Sequence, residues 1–224
     1  MDNGKVRAFL FDLDGTLIDS KMDLVNSVNA MLRDTRRAEL PAELIASYVG
    51  HGAPQLIAST LGPQSNEEER REGLAVFLKH YERMKLEETR AYPGVVSGLN
   101  ALDGAAMAVL SNKPAKLSAE ILEGLGLARY FSGVYGGDSF STKKPEPSGA
   151  LEILRGFGVS GVEAAMVGDS DVDVQTARNA GMVAVGVNYG FGQHDREKNP
   201  ADVYVNSLEE LVGLTCGSRE EGKR

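Results

Sequence analysis

The chain of 224 residues contains a single cysteine, Cys216. One cysteine makes no disulfide within the chain and no thiolate zinc site. Close to the C-terminus, it reads as an inert residue beside a frayed end. Long apolar runs are missing too. None approaches the roughly 18 residues that cross a membrane. The opening M-D-N-G-K-V-R has none of the apolar character of a signal peptide. A cytoplasmic protein without membrane attachment is expected. Positive charge is also scarce, with 24 Lys and Arg against 32 Asp and Glu and a net charge of -8. A nucleic-acid or membrane-surface binder needs a basic face, so neither partner is expected. A small anionic substrate stays compatible, provided that local lysines or a metal overcome the global field.

What is there suits a soluble globular protein, with 42% hydrophobic and 25% charged residues. The length allows one large domain, or one domain with a smaller one inserted. Monomer and homodimer are both open. Five short apolar runs recur: Val6–Phe11, Ala105–Leu110, Ala164–Val167, Val183–Val187 and Val203–Val205. Each is too short for a helix and lacks clear alternation, as strands buried on both faces do in a parallel sheet. Helical stripes lie between most of them. Leu117, Ile121 and Leu122 form one, Leu151, Leu154 and Phe157 another, and Val172, Ala177 and Ala180 a third that ends at Gly181. Alternation of strand and helix predicts an α/β fold.

Residues 20–90 break this rhythm. Ser20 with Asp23 suggests a capping box, and Met22, Val25, Val28 and Leu32 then share a helix face. Leu44, Ile45 and Tyr48 suggest a second helix, and Pro54 to Leu61 a third. Asn66 before Glu67, Glu68 and Glu69 is a helix start, since carboxylates favour the positive end. Leu74, Phe77, Leu78, Tyr81 and Met84 continue that helix. The reading is a Rossmann-like parallel core over residues 1–16 and 91–216. A helical cap over residues 17–90 is inserted into it, and a disordered tail follows over 217–224.

Ligand sites in open parallel sheets lie beyond the carboxyl ends of strands. The first strand ends in F-L-F-D-L-D-G-T-L-I-D-S, with Asp12, Asp14 and Asp19 close together. Such carboxylates repel one another, and a bound cation is the common compensation. The second strand ends at Ser111, Asn112 and Lys113 before Pro114, a hydroxyl beside a helix start. A later strand ends at Asp169, Asp171 and Asp173. Between them, T-K-K-P-E-P places Lys143 and Lys144 ahead of a helix. Each piece alone has an ordinary reading as a turn, a cap or a solvated loop. All of them on one edge of one sheet do not.

The order D-L-D-G-T, S-N-K, K-P-x-P and G-D-S-x-x-D resembles the haloacid dehalogenase superfamily over nearly the whole chain. The helical insertion matches its subgroup with a helical cap. L-S-N-K-P, V-Y-G-G-D-S, Y-V-G-H-G-A-P-Q-L and Y-G-F-G resemble phosphoglycolate phosphatases in particular. The resemblance implies a Mg²⁺-dependent hydrolase of a small phosphorylated metabolite. Asp12 is its nucleophile, forming an aspartyl-phosphate. Asp12, the Asp14 carbonyl and Asp169 hold Mg²⁺. Lys144 neutralises charge and holds Asp12, with Lys143 its rival; Asp173 fixes Lys144. Ser111, Asn112 and the amides around Asp14 and Gly15, in the turn that Thr16 continues, bind phosphate. Asp14 is the acid and base, which favours ester hydrolysis over dehalogenation, since a halide leaves without a proton. Asp171 reads as exposed, Asp19 as part of the cap hinge, and Arg33, Arg36 and Arg37 as a solvated face. His51, in a glycine-rich loop of the cap, and Lys113 are candidates for a substrate carboxylate. A sugar phosphomutase, a pyrophosphatase, a signalling receiver module and a catalytically retired binding module are the alternatives.

Overall fold

The computed structural model describes residues 5–215. Cys216 and the tail expected to be disordered lie outside them. Six parallel strands form one sheet: β1 (Ala8–Phe11), β4 (Ala106–Leu110), β5 (Val134–Tyr135), β6 (Ala164–Gly168), β7 (Val183–Val187) and β8 (Val203–Val205). Their order is β5-β4-β1-β6-β7-β8. The chain builds outward from β1 in one direction, then crosses to build outward in the other. Such a reversal opens a crevice at the strand ends.

Both faces of the sheet are covered, which explains the continuous apolar runs. Phe9 and Phe11 point to one face with Met107, Val109 and Val167. There they meet Leu99 of α5 (Val95–Ala101) and Leu117 and Ile121 of α6 (Ala115–Gly124). Ala8 and Leu10 point to the other, against Ile153 of α7 (Ser148–Phe157) and Val174 of α8 (Asp171–Asn179). Leu151 departs from the expected stripe. It is 46% exposed, because the buried face of α7 is carried by Ala150, Ile153 and Leu154. A four-residue helix, α9 (Val212–Thr215), ends the described chain.

The segment that breaks the rhythm is helical throughout: α1 (Lys21–Asp34), α2 (Ala42–Ala46), α3 (Ala53–Leu61) and α4 (Glu67–Met84). It leaves and rejoins the sheet through two short antiparallel strands, β2 (Ile18–Asp19) and β3 (Arg90–Ala91), which the sequence pattern did not announce. Val28, Met31, Ile57, Leu61 and Phe77 are buried between these helices. Gly73 lets α4 close on α3, since a Cβ there meets Leu61 Cδ1 at 3.1 Å. Asn66 opens α4 as expected, and its side chain closes a capping box with Glu69. The box expected at Ser20 does not form. Its hydroxyl is diverted to Asp14, and Asp19 Oδ1 accepts from the first free amide of α1, Lys21 N, at 3.2 Å. Asp23 turns inward and accepts from the amides of Glu88 and Thr89 and the Thr89 hydroxyl at 2.7–3.1 Å. It thereby ties α1 to the returning chain. Met22, expected on the buried face, is 46% exposed.

Candidate active site

Register brings the motifs together. Phe11 lies opposite Val109 on β4 and Val167 on β6. Asp12, Ser111 and Asp169 therefore leave adjacent strands at nearly the same height. The Asp12 amide donates to Val167 O at 2.9 Å, which fixes where the carboxylate emerges. Beyond it the chain turns sharply, with Gly15 at φ +84°. A Cβ on Gly15 would stand 1.9 Å from Asp169 Oδ2, so glycine is required both by conformation and by space. Gly15→Ala is expected to cost about 2 kcal/mol or more and to weaken divalent-cation binding, read by thermal unfolding with and without the cation. An unchanged cation response shows that the turn is not needed to place Asp169.

Lysine is decisive in the middle of the site. Lys144 Nζ lies 2.7 Å from Asp12 Oδ1 and 2.6 Å from Asp173 Oδ1. Lys143 instead donates to the His51 carbonyl at 2.7 Å. Burial alone pulls the Lys144 ammonium down, but Asp12 and Asp173 more than restore it, so it stays charged. Asp173 serves twice. Its Oδ2 accepts from Ser170 N and Oγ as the capping box of α8, while Oδ1 holds the lysine. Asp171 accepts from Asp195 N at 3.1 Å and anchors a loop.

Asp12, Asp169 and Asp173 offer oxygens within 4.8 Å of one another, and Lys144 is the cation among them. Burial pushes the Asp12 carboxyl up to about 6, against the pull of Lys144. Burial, then the charges of Asp173 and Asp12, raises Asp169 well above the carboxylate range. The excess negative charge and the all-oxygen donor set fit a hard divalent cation. Hydrogen bonding leaves the right atoms for it. Asp169 Oδ2 is occupied by Phe191 N (3.0 Å) and Gly192 N (2.6 Å), while Oδ1 has only Thr16 Oγ1 at 3.5 Å. Asp12 Oδ2 and the Asp14 carbonyl accept no hydrogen bond among the described residues.

Asp14 is held by Lys113, whose Nζ is 2.7 Å from both carboxylate oxygens, and by the Ser20 hydroxyl. Ser111 Oγ accepts from Lys113 N at 3.3 Å. Asn112 donates to Gly50 O and Lys144 O, each at 3.0 Å, so it joins the α2–α3 loop to the lysine loop. Gly52 allows that approach, since its Cβ would meet Asn112 O at 2.9 Å. A cavity of about 50 Å³ lies here, bounded by Asp12, Asp14, Ser111, Asn112 and Lys113 below and Leu24, Leu56, Phe77 and Tyr81 above.

Three expected residues sit differently. The Gly15 amide is closed onto Ile18 O at 2.9 Å, and the Thr16 amide onto Leu13 O at 3.2 Å. The amides of Leu13 and Asp14 are the ones without an acceptor among the described residues. The turn needs its inner hydrogen bonds to hold shape, so its free donors fall one residue earlier. Thr16 faces Asp169 rather than the cavity. His51 is exposed, and its carbonyl rather than its ring is engaged. Residues not anticipated are Phe191 and Gly192, whose amides orient Asp169, and Tyr81. Y-G-F-G was the visible trace of the first two. Gly190 and Gly192 are needed because Cβ atoms there would meet Asp169 at 2.2 and 2.9 Å. Among the described residues no helix is long and apolar enough to cross a membrane.

Buried carboxylates able to hold a cation and a lysine paired between two of them thus gather at the carboxyl edge of one parallel sheet. The chain belongs to the haloacid dehalogenase-like hydrolase family, whose model matches residues 9–187. It is 40% identical over 217 residues to a phosphoglycolate phosphatase of Neisseria meningitidis, covering 92% of each chain. It is 38% identical over 206 residues to one of Psychrobacter arcticus, covering 87% of this chain and 90% of that protein. The crystal structure of a predicted phosphoglycolate phosphatase from Haemophilus somnus superposes with a TM-score of 0.86 at 28% identity, covering 94% and 98% of the two chains. Within the family the protein is a phosphatase.

Proposed function

We propose that the enzyme hydrolyses 2-phosphoglycolate with Mg²⁺, through an aspartyl-phosphate on Asp12. The observation that carries the substrate is the cavity. One water needs about 10–15 Å³ of such space, so about 50 Å³ admits only a small group. Its wall beyond the strand ends is apolar apart from Lys113 and Tyr81. A sugar would leave several hydroxyls there without partners, whereas a short acid meets the Lys113 ammonium. The names of the relatives point the same way.

Asp12, Asp169 and the Asp14 carbonyl would hold Mg²⁺, which supplies charge neutralisation of the phosphate facing the carboxylates. Lys144 fixes the Asp12 carboxylate through Oδ1, and a carboxylate oxygen of Asp12 attacks phosphorus. The bond from phosphorus to the ester oxygen breaks, and Asp14 acts as general acid, passing a proton to the leaving alkoxide. Water then attacks the phosphorus of the acyl phosphate. Asp14 takes its proton, the bond from phosphorus to Asp12 breaks, and phosphate leaves. Ser111 and the amides of Leu13 and Asp14 orient the phosphoryl oxygens. Residues 17–90 act as the cap that opens for exchange and closes through the Asn112–Gly50 and Lys143–His51 contacts.

The test is Mg²⁺-dependent phosphate release from 2-phosphoglycolate, pyrophosphate, β-glucose 1-phosphate and p-nitrophenyl phosphate. Clear preference for the first is expected. Activity confined to the aryl ester removes the substrate assignment. A pH effect accompanies metal binding. Asp12 must be ionised to ligate, and its carboxyl is raised from 3.8 to about 6, so the ionised form prevails only above that pH. Mg²⁺ is expected to raise the unfolding midpoint more at pH 7.5 than at pH 5. Equal shifts at both would remove Asp12 from the ligand set.

A further inference from the structure

The cavity holds a buried phenol that the proposed reaction leaves unused. Tyr81, on α4, is 1% exposed, and its ring stacks on Phe77 at 5.6 Å between centroids. The Lys113 ammonium lies 4.6 Å from the Tyr81 ring centroid. The Tyr81 O–H has no acceptor among the described residues, while the Lys113 ammonium lies close enough to face its oxygen. Buried hydroxyls without partners are costly and rare, and each calls for a reason. Burial pushes the phenol up to about 12, so at neutral pH it is a donor. Lys113 has three N–H donors. Two of them point to the oxygens of Asp14, and the third has only the Tyr81 oxygen beside it.

An O–H without an acceptor and an ammonium thus sit side by side in a cavity also lined by Leu24, Leu56 and Leu78. Two neighbouring donors, one of them charged, match the two oxygens of a carboxylate. The remaining unpartnered atom of this cavity, Asn112 Oδ1, is an acceptor and has the wrong sign for that ligand. We infer that Tyr81 is a specificity residue, seating one oxygen of the substrate's carboxylate on its hydroxyl while Lys113 takes the other. The inference rests on the carboxylate-bearing substrate proposed above. It adds that recognition is split between the two parts of the fold. Lys113 follows β4 and Tyr81 belongs to the inserted helices, so the seat is complete only when those helices are closed over the sheet. A small acid would then favour the closed form, and a neutral ester of the same size would not.

Tyr81→Phe removes the hydroxyl and keeps the ring on Phe77 and Lys113. The readout is kcat/KM for 2-phosphoglycolate against ethyl phosphate, which lacks the carboxylate. The wild type is expected to prefer the former. In Tyr81→Phe that preference falls about ten-fold or more, chiefly through KM, while ethyl phosphate changes by less than about two-fold. The unfolding midpoint stays within a few degrees of the wild type, because the hydroxyl donates to no acceptor among the described residues and Lys113 keeps Asp14. An unchanged preference in the variant overturns the role of Tyr81 and leaves the substrate reading standing. No preference in the wild type overturns both.

Discussion

Asp12→Asn is expected to lower kcat by roughly 10⁴- to 10⁶-fold, the scale of losing a covalent nucleophile, with the fold intact. Asparagine keeps the shape and can still accept from Lys144, so packing around β1 is preserved. The side chain no longer bears the oxygen that attacks phosphorus. A second consequence has the opposite sign. Asp12 is buried beside Asp169 and Asp173, and its carboxyl is raised from 3.8 to about 6. Below pH 4 it is protonated in both the folded and unfolded protein and costs nothing. Between pH 4 and 6 the unfolded chain ionises first, and above 6 the folded protein carries the charge at a cost. Without divalent cation, Asp12→Asn is therefore expected to be more stable than the wild type above pH 6 and level with it near pH 4. Loss of activity with gain of stability identifies a functional charge. Turnover within about 100-fold of the wild type would remove Asp12 as the nucleophile.

Lys144→Met is expected to damage both activity and stability. The lysine is 4% exposed and is the shared cation of Asp12 and Asp173. Methionine fills similar volume but leaves two buried carboxylates facing each other. Breaking a buried pair from one side costs about 3–5 kcal/mol, which for a chain of this size lowers the midpoint by roughly 6–20 °C. Part of the loss returns at low pH, where the Asp12 carboxyl protonates. Turnover is expected to fall by about 10³-fold or more, since the nucleophile loses both its orientation and its counter-charge. Lys144→Arg should not restore it, because a planar guanidinium does not fit the point between two carboxylates that an ammonium occupies. Lys143→Met is the control. It removes only the contact to the His51 carbonyl, so near wild-type stability is expected there. Equal damage from both substitutions would contradict the assignment of the central lysine.

Much of the architecture was legible because its signals are local. A strand buried on both faces must be apolar at every position, so β1, β4, β6, β7 and β8 stood out. The start of α4 announced itself through Asn66 and the three glutamates that follow it. β5 did not, because Val134–Tyr135 is a two-residue edge strand with no run to read. Met22 and Leu151 misled because a stripe of apolar residues also extends onto the rim of a helix, where the neighbouring element decides what is covered. Ser20 misled for a different reason. A hydroxyl caps its own helix only where the backbone aims its oxygen at the helix amides, and at Ser20 (φ -105°, ψ 7°) the fold turns the side chain onto Asp14 instead.

The chain's own order of residues determined that carboxylates, a hydroxyl–amide pair and a lysine would gather at the strand ends. A parallel sheet places consecutive strand termini on one edge, whatever the loops do. Only the tertiary structure decided which atom does what. It put Lys144 rather than Lys143 on Asp12, since a turn sends adjacent side chains in different directions. It left the amides of Leu13 and Asp14 open by closing those of Gly15 and Thr16 into the turn. It carried Tyr81, indistinguishable in the sequence from the other core residues of α4, over Lys113 across the boundary between helices and sheet. Periodicity reports that a side chain is buried; which group it is buried against is a long-range contact, and no local pattern encodes it.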